Sequence, residues 1–146
     1  MFLGEAHSKK ASVFVSLGGN FVSAASDTEY TAQAIQNCDL TVSISTKLNK
    51  THLIPGKTSL ILPTLGRSEM DKRNGKERFV TVENSMGKVH SSQGRLSPTS
   101  EHLMSEPDII AHMANAYFDN NHVVNWLELG TNYELIRNRI ANVVNG

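Results

Sequence analysis

Between Ser12 and Ser45 the sequence runs strand, turn, helix, strand, and few folds accept that succession. Ser12–Leu17 is rich in Val and Phe, the make-up of a buried strand. Gly18-Gly19-Asn20 ends it. Ser26-Asp27-Thr28-Glu29 has the form of a capping box, in which the Ser26 hydroxyl accepts from the Glu29 amide and Glu29 reaches back. The helix it opens should run to about Asn37 and bury Thr31, Ala34, Ile35 and Cys38 on one stripe. Leu40–Ser45 is then a second strand. Two strands joined by one helix pair in parallel with a right-handed crossover, so the expected class is α/β with a mostly parallel sheet.

The rest of the chain fits that class. "SLILPT" gives a third short apolar strand, stopped by Pro63, and "RFVTVEN" a fourth. Met1–Lys10 reads as an irregular lead-in and Gly87–Pro98 as a loop. Asn74-Gly75 marks a turn inside a charged stretch, where Lys72, Arg73, Lys76 and Arg78 read as a solvated loop. The last third is helical. Pro107 follows Ser105 in a first turn, with Ile109, Ile110, Met113 and Tyr117 at helical spacing. Leu135, Ile136, Ile140 and Val143 repeat the pattern, and Trp126 and Leu127 between the two helices are placed to cover the sheet.

Composition narrows the function. The 146 residues suit one domain, spanning 1–146. Lys plus Arg and Asp plus Glu both number 14, which argues against a protein that tracks nucleic-acid phosphates. No apolar run approaches a bilayer span and no signal-peptide core precedes the first strand, so a cytoplasmic location is expected. Cys38 is the only cysteine, which excludes an internal disulfide and Cys-ligated clusters within this chain.

The candidate ligand residues collect after the strands. Gly18-Gly19-Asn20 sits at the carboxyl end of the first strand, where open α/β sheets bind ligands and a missing Cβ lets a backbone N–H approach a phosphate. Its spacing is not G-x-G-x-x-G, and a tight turn needing positive φ is an equal reading. Ser45, Thr46, Lys47 and Asn49 follow the second strand, where nucleotide sites meet ribose or base; a polar loop capping a helix at Asn49 explains them as well. Asn84 closes the fourth strand, to bond a ligand or make the turn. Gly56-Lys57-Thr58 imitates the end of a P-loop, but Thr51 occupies the required glycine position and a strand, not a helix, follows. The six histidines have no metal-ligand spacing, and no nucleophile or paired-carboxylate motif occurs. The local chemistry describes a binding platform with no catalytic residue and no metal ligand.

Four ordered blocks carry a resemblance: "LGGNFVSAASDTEYTAQAIQNCDLTVSISTKLNKTHLI", "LILPTLGRSEMD", "VTVENSMGKVHSSQGRLSPTSEHLMSEPDIIA" and "NWLELGTNYELIRNRIA". Together they resemble one internal stretch of the molybdopterin-dependent oxidoreductases of the dimethyl-sulfoxide-reductase superfamily, in the branch of formate-dehydrogenase-like alpha subunits. The resemblance covers about Ser12 to Val144. It implies a Rossmann-like third-domain fragment of a much longer enzyme, cradling molybdopterin guanine dinucleotide, with molybdenum held by other domains and any Fe–S cluster confined to missing ones. It also implies that Gly18, Gly19 and Asn20 lie against the dinucleotide, that Ser45, Thr46, Lys47 and Asn49 meet its guanosine end, and that Asn84 takes the place of the Asn in a later T-N-T-E-type segment. Two positions depart from the family: Ser45 stands where many members have Asp, and Met86-Gly87 where an acidic-basic pair is usual. A Ser cannot pair bidentately with guanine, and Lys47 or Asn49 would compensate.

The reading is therefore a cofactor-cradling domain of a larger oxidoreductase, inactive alone, whose partners are the remaining domains and whose isolated form self-associates. A free-standing nucleotide-binding regulatory module is the alternative. A small enzyme using His52 or His90 as a general base is a weaker third.

Overall fold

The computed structural model describes residues 2–118 and 123–144. The chain groups into two compact units, Met1–Thr64 and Leu65–Gly146. Among the described residues the first holds a three-stranded sheet and the second two antiparallel strand pairs with three helices, so the class is α/β.

In the first unit β1 (Val13–Leu17), β2 (Leu40–Ser45) and β3 (Thr58–Pro63) pair in parallel in the order β1-β2-β3. Val13 faces Leu40, and Leu40 faces Thr58. Parallel neighbours need a long crossover. Between β1 and β2 it is made by a short helix α2 (Phe21–Ala24) and by α3 (Thr28–Gln36). β2 is central and buries four successive residues, Thr41 to Ile44, as a strand covered on both faces must. The expected stripe on α3 is observed: Thr31, Ala34, Ile35 and Cys38 are all buried. Burying Ile35 alone contributes about 1.5–3 kcal/mol.

Two local expectations fail here. The cap of α3 is Asp27, not Ser26; its Oδ1 accepts from the Tyr30 N–H at 2.9 Å. Asp caps as well as Ser, and its charge also meets the helix dipole. Met1–Lys10 is not irregular, because Phe2–His7 forms a helix, α1. Its Ala6 is buried in a cluster with Ala34 and Cys38, and the His7 ring stacks on Tyr30 at 4.4 Å. Packing supplies what so short a helix lacks alone.

In the second unit β4 (Lys72–Arg73) and β5 (Lys76–Glu77) form a hairpin through Asn74-Gly75, the turn read from the sequence. The expected fourth strand exists as β6 (Val80–Glu83), but it pairs antiparallel with β7 (Val89–Ser92), inside the stretch expected to be a loop. The helices are α4 (Glu106–Tyr117), α5 (Trp126–Thr131) and α6 (Tyr133–Val143). Ser105 caps α4 ahead of Pro107, as expected. The buried face of α4 is narrower and more polar than its apolar spacing suggests. Asp108, Ile109 and Ala111 are buried, while Ile110, Met113 and Tyr117 are exposed. On α6 Ile140 and Val143 are likewise exposed. Trp126 opens α5 and stacks on Phe118 with ring centroids 6.0 Å apart.

The cation expected in a solvated loop is the centre of this unit. Arg78 is buried; its Nη2 meets Asp71 at 2.5 Å and Asp108 at 2.6 Å, and its Nη1 donates to the Gly130 carbonyl. The Tyr133 hydroxyl donates to Asp71 at 2.8 Å and lies 2.7 Å from Ser105 Oγ, which donates to Asp108. The guanidinium also lies over the Tyr133 ring, 4.5 Å from its centroid. Burial works against the Arg78 charge, but its hydrogen bonds to Asp108 and Asp71 outweigh this and hold its pKa above the ordinary value. Burial pushes the Tyr133 phenol up as well, against the opposing Ser105 hydrogen bond.

Candidate functional site

Seven of the eight sequence-chosen binding residues lie at or just beyond the carboxyl ends of β1 and β2, and the fold joins their loops. Gly18 and Gly19 turn the chain at φ +64° and +68°, a region that L side chains avoid. The tight-turn reading of this pair is therefore met. Asn20 then caps α2 through its backbone, its carbonyl accepting from Ser23 and Ala24. After β2, Ser45 closes a small turn: its hydroxyl donates to the Lys47 carbonyl at 2.6 Å and accepts from the Lys47 N–H. Asn49 caps a 3-10 turn, Lys50–Leu53. Its Oδ1 accepts from Thr51, while the His52 ring Nδ1 accepts from the Asn49 N–H at 3.0 Å.

Three bonds tie the loops together. Asn49 Nδ2 donates to the Gly19 carbonyl at 2.7 Å. The Thr51 hydroxyl donates to Asn20 Oδ1 at 3.2 Å and accepts from the Val22 N–H at 3.2 Å. Thr51 is 6 % exposed, so this bridge is sheltered from water. Sequence reasoning gave Thr51 no part in the site. Its signal was its place two residues past an Asn cap.

The ties divide the candidates into frame and free donors. The Gly18 N–H is spent on the Ile44 carbonyl at 2.8 Å, and the Ser45 and Asn49 side chains are spent on the loops. The Gly19 N–H, Asn20 Nδ2, Thr46 Oγ and Lys47 Nζ have no partner among the described residues. A Cβ built on Gly19 would meet nothing within 4 Å, so this backbone faces open space. The edge can therefore present one backbone amide, one side-chain amide, a hydroxyl and an ammonium to an anionic, hydroxyl-rich ligand.

The remaining candidates lie elsewhere. Asn84 is in the second unit, where its Oδ1 accepts from the Met86 and Lys88 N–H groups and shapes the β6–β7 turn. His90 is exposed on β7, and His52 serves as a capping partner. The P-loop imitation runs into β3 at the amino end of the sheet, where Lys57 pairs with Asp39 at 2.6 Å. A cavity of about 190 Å³ at that end, lined in part by Ser12, Asn37, Asp39 and Lys57, is remote from the tied loops along the strands. Among the described residues no group of three His, Cys, Asp or Glu is arranged to hold a metal, and no helix is long and apolar enough to cross a membrane.

The chain is similar to proteins named as oxidoreductases. It is 50 % identical over 137 residues to an uncharacterized oxidoreductase of Mycobacterium tuberculosis, and equally to one of Mycobacterium bovis. It is 41 % identical over 135 residues to Protein YdeP of Escherichia coli. These matches cover 94 % and 92 % of this chain but only 18 % of each relative, so the chain spans about a fifth of the curated relatives it matches. No protein-family model matches the chain. No solved structure matches it either.

Proposed function

We propose that this chain is one wall of a cofactor cleft in a larger oxidoreductase, and that the cofactor is a molybdopterin guanine dinucleotide. The supporting observation is the tied edge: two loops from adjacent parallel strands, locked by the Asn49–Gly19 and Thr51–Asn20 bonds, with the Gly19 backbone facing open space and Thr46 and Lys47 exposed. The relatives' names support the redox part of the reading.

The residues present fit the diphosphate portion of such a group. The Gly19 N–H, Asn20 Nδ2 and Lys47 Nζ are donors of the kind a diphosphate accepts from, and a charged donor roughly doubles the strength of such a bond. Gly18, Ser45 and Asn49 contribute by fixing those donors, and Thr46 offers a hydroxyl to the ribose. The guanine end is less well matched, because the loop has no carboxylate to pair with it. When bound, the group would supply two-electron redox chemistry at a metal held by other parts of the protein. The residues of this chain bind and orient it and take no part in proton transfer.

The 146-residue chain alone should show no formate oxidation and only weak guanine-nucleotide binding, since half of the enclosure is missing. Metal and pterin analysis of the longest natural product containing this chain is the test. Molybdenum or tungsten with two equivalents of guanine nucleotide is expected, with Lys47→Ala lowering the nucleotide content. A product devoid of pterin removes the proposal.

A further inference from the structure

We infer that the outer edge of β1 seats a further parallel β-strand, supplied by a part of the protein outside this chain. The backbone parity of β1 shows the vacancy in the pairing. The Ser12 carbonyl accepts from Asp39 and Leu40, and the Gly18 N–H donates to Ile44, so the even positions turn toward β2. Val13, Val15 and Leu17 therefore turn their N–H and C=O groups away from it. The three residues are 51 %, 41 % and 51 % exposed, and their side chains share one face of the strand.

A free edge is usually blunted by Lys, Pro or a bulge. β1 has none of these; its residues are Val, Phe, Val, Ser and Leu, paired in unbroken register. The opposite edge, β3, begins with Thr58 and Ser59, both exposed, and ends at Pro63, which has no N–H to offer. β3 also exposes Leu60 and Ile61, so the choice of β1 rests on Pro63, which stands at an outward-turned position of β3. A row of unpaired peptide groups is satisfied by another strand and not by a helix, and branched apolar neighbours favour an apolar strand. Parallel sheets are covered structures, and three strands is short of the usual five or six. In proteins as long as the relatives, more than four-fifths of the polypeptide lies outside the matched stretch. This assignment rests on the proposed function in one respect: with β1 central, the Gly18–Asn20 turn would open into the crevice between β1 and the added strand.

Residue-resolved hydrogen exchange tests it, on the 146-residue chain and on the longest natural product containing it. In the shorter chain at low concentration, the Val13, Val15 and Leu17 amides should exchange at least about 100-fold faster than those of Phe14 and Ser16. In the longer product all five should be equally slow. Val15→Pro should leave the urea midpoint of the short chain in place, because that N–H faces away from β2, yet abolish the extra protection in the longer product. Phe14→Pro, which removes an inward N–H, should destabilise both. Fast Val13, Val15 and Leu17 amides in the longer product overturn the inference, as does a natural product no longer than this chain. Protection in the short chain that rises with its concentration also overturns it and assigns the edge to a second copy. Because the readout is backbone protection, a longer product that shows it but carries no pterin removes the cofactor reading and leaves the strand.

Discussion

The tied loops of the first unit and the Arg78 cluster of the second are both polar networks, and they spend their hydrogen bonds in opposite ways. In the loops, the bonds run from one turn to the other and leave the Gly19 N–H, Asn20 Nδ2, Thr46 Oγ and Lys47 Nζ without partners among the described residues. In the cluster, Arg78 donates to both carboxylates and a carbonyl, Tyr133 donates to the other oxygen of Asp71, and Ser105 shares Asp108 Oδ2 with Arg78. Spare donors in open space can serve a ligand. A saturated, buried network can only serve the fold, and losing one member strands the others away from water. The second unit therefore depends on its polar residues for stability, the first for what they can still bind.

This contrast can be broken most sharply at Arg78. Arg78→Met should cost about 3–5 kcal/mol, since Asp71 and Asp108 would be left without their cation. Urea denaturation followed by circular dichroism should show the loss. Arg78→Lys should recover little of it, because one ammonium cannot reproduce the fork that meets two carboxylates and the Gly130 carbonyl. A loss below about 1 kcal/mol would mean the cluster is wetter than its geometry implies.

Tyr133 comes next. Its folded-state pKa is raised, chiefly by burial, so the folded chain holds the phenol proton longer than the unfolded chain does. The contribution is fully present below the ordinary value of 10.0 and is lost as the pH climbs from there through the higher folded-state value. Tyr133→Phe should cost about 1–3 kcal/mol at neutral pH by leaving Asp71 and Ser105 short of a partner. It should also flatten the fall in stability above pH 10. An unchanged alkaline slope would show that another group carries it.

The smallest effect is expected in the loops. Asn49→Ala removes a cap and the tie to Gly19, at a cost of about 1 kcal/mol. The thermal midpoint should move by only a few degrees, while nucleotide content of the longer product should fall by more than Thr46→Ala produces. Equal effects of the two would mean the tie does not position anything.

The parallel core of the first unit was legible because its signals are local. Strand composition, a glycine break and a helical stripe lie within Ser12–Ser45, and each forms with neighbours close in sequence. The tied loops were half legible: Gly18, Asn20 and Asn49 announce turns and caps, but the bond that joins Asn49 to Gly19 spans 30 residues. Arg78 was misread because charge beside Lys72, Arg73 and Lys76 looks solvated, while its partners Asp108 and Gly130 lie 30 and 52 residues away. Pairing at that distance leaves no periodic trace. β7 escaped because Val89–Ser92 is mostly small and polar, and only β6 beside it makes it a strand. In α4, apolar spacing overstated the buried face, since Asp108 takes a core position that a hydrophobic pattern assigns to isoleucine.

The tie between the two loops has a consequence for inheritance. It runs from the Asn49 amide to a main-chain carbonyl and from Thr51 to Asn20, and it asks nothing of positions 46 and 47. Those two side chains project from a frame that does not depend on their identity. A lineage could exchange them freely, trying new ligands one residue at a time while the architecture that presents them stays intact.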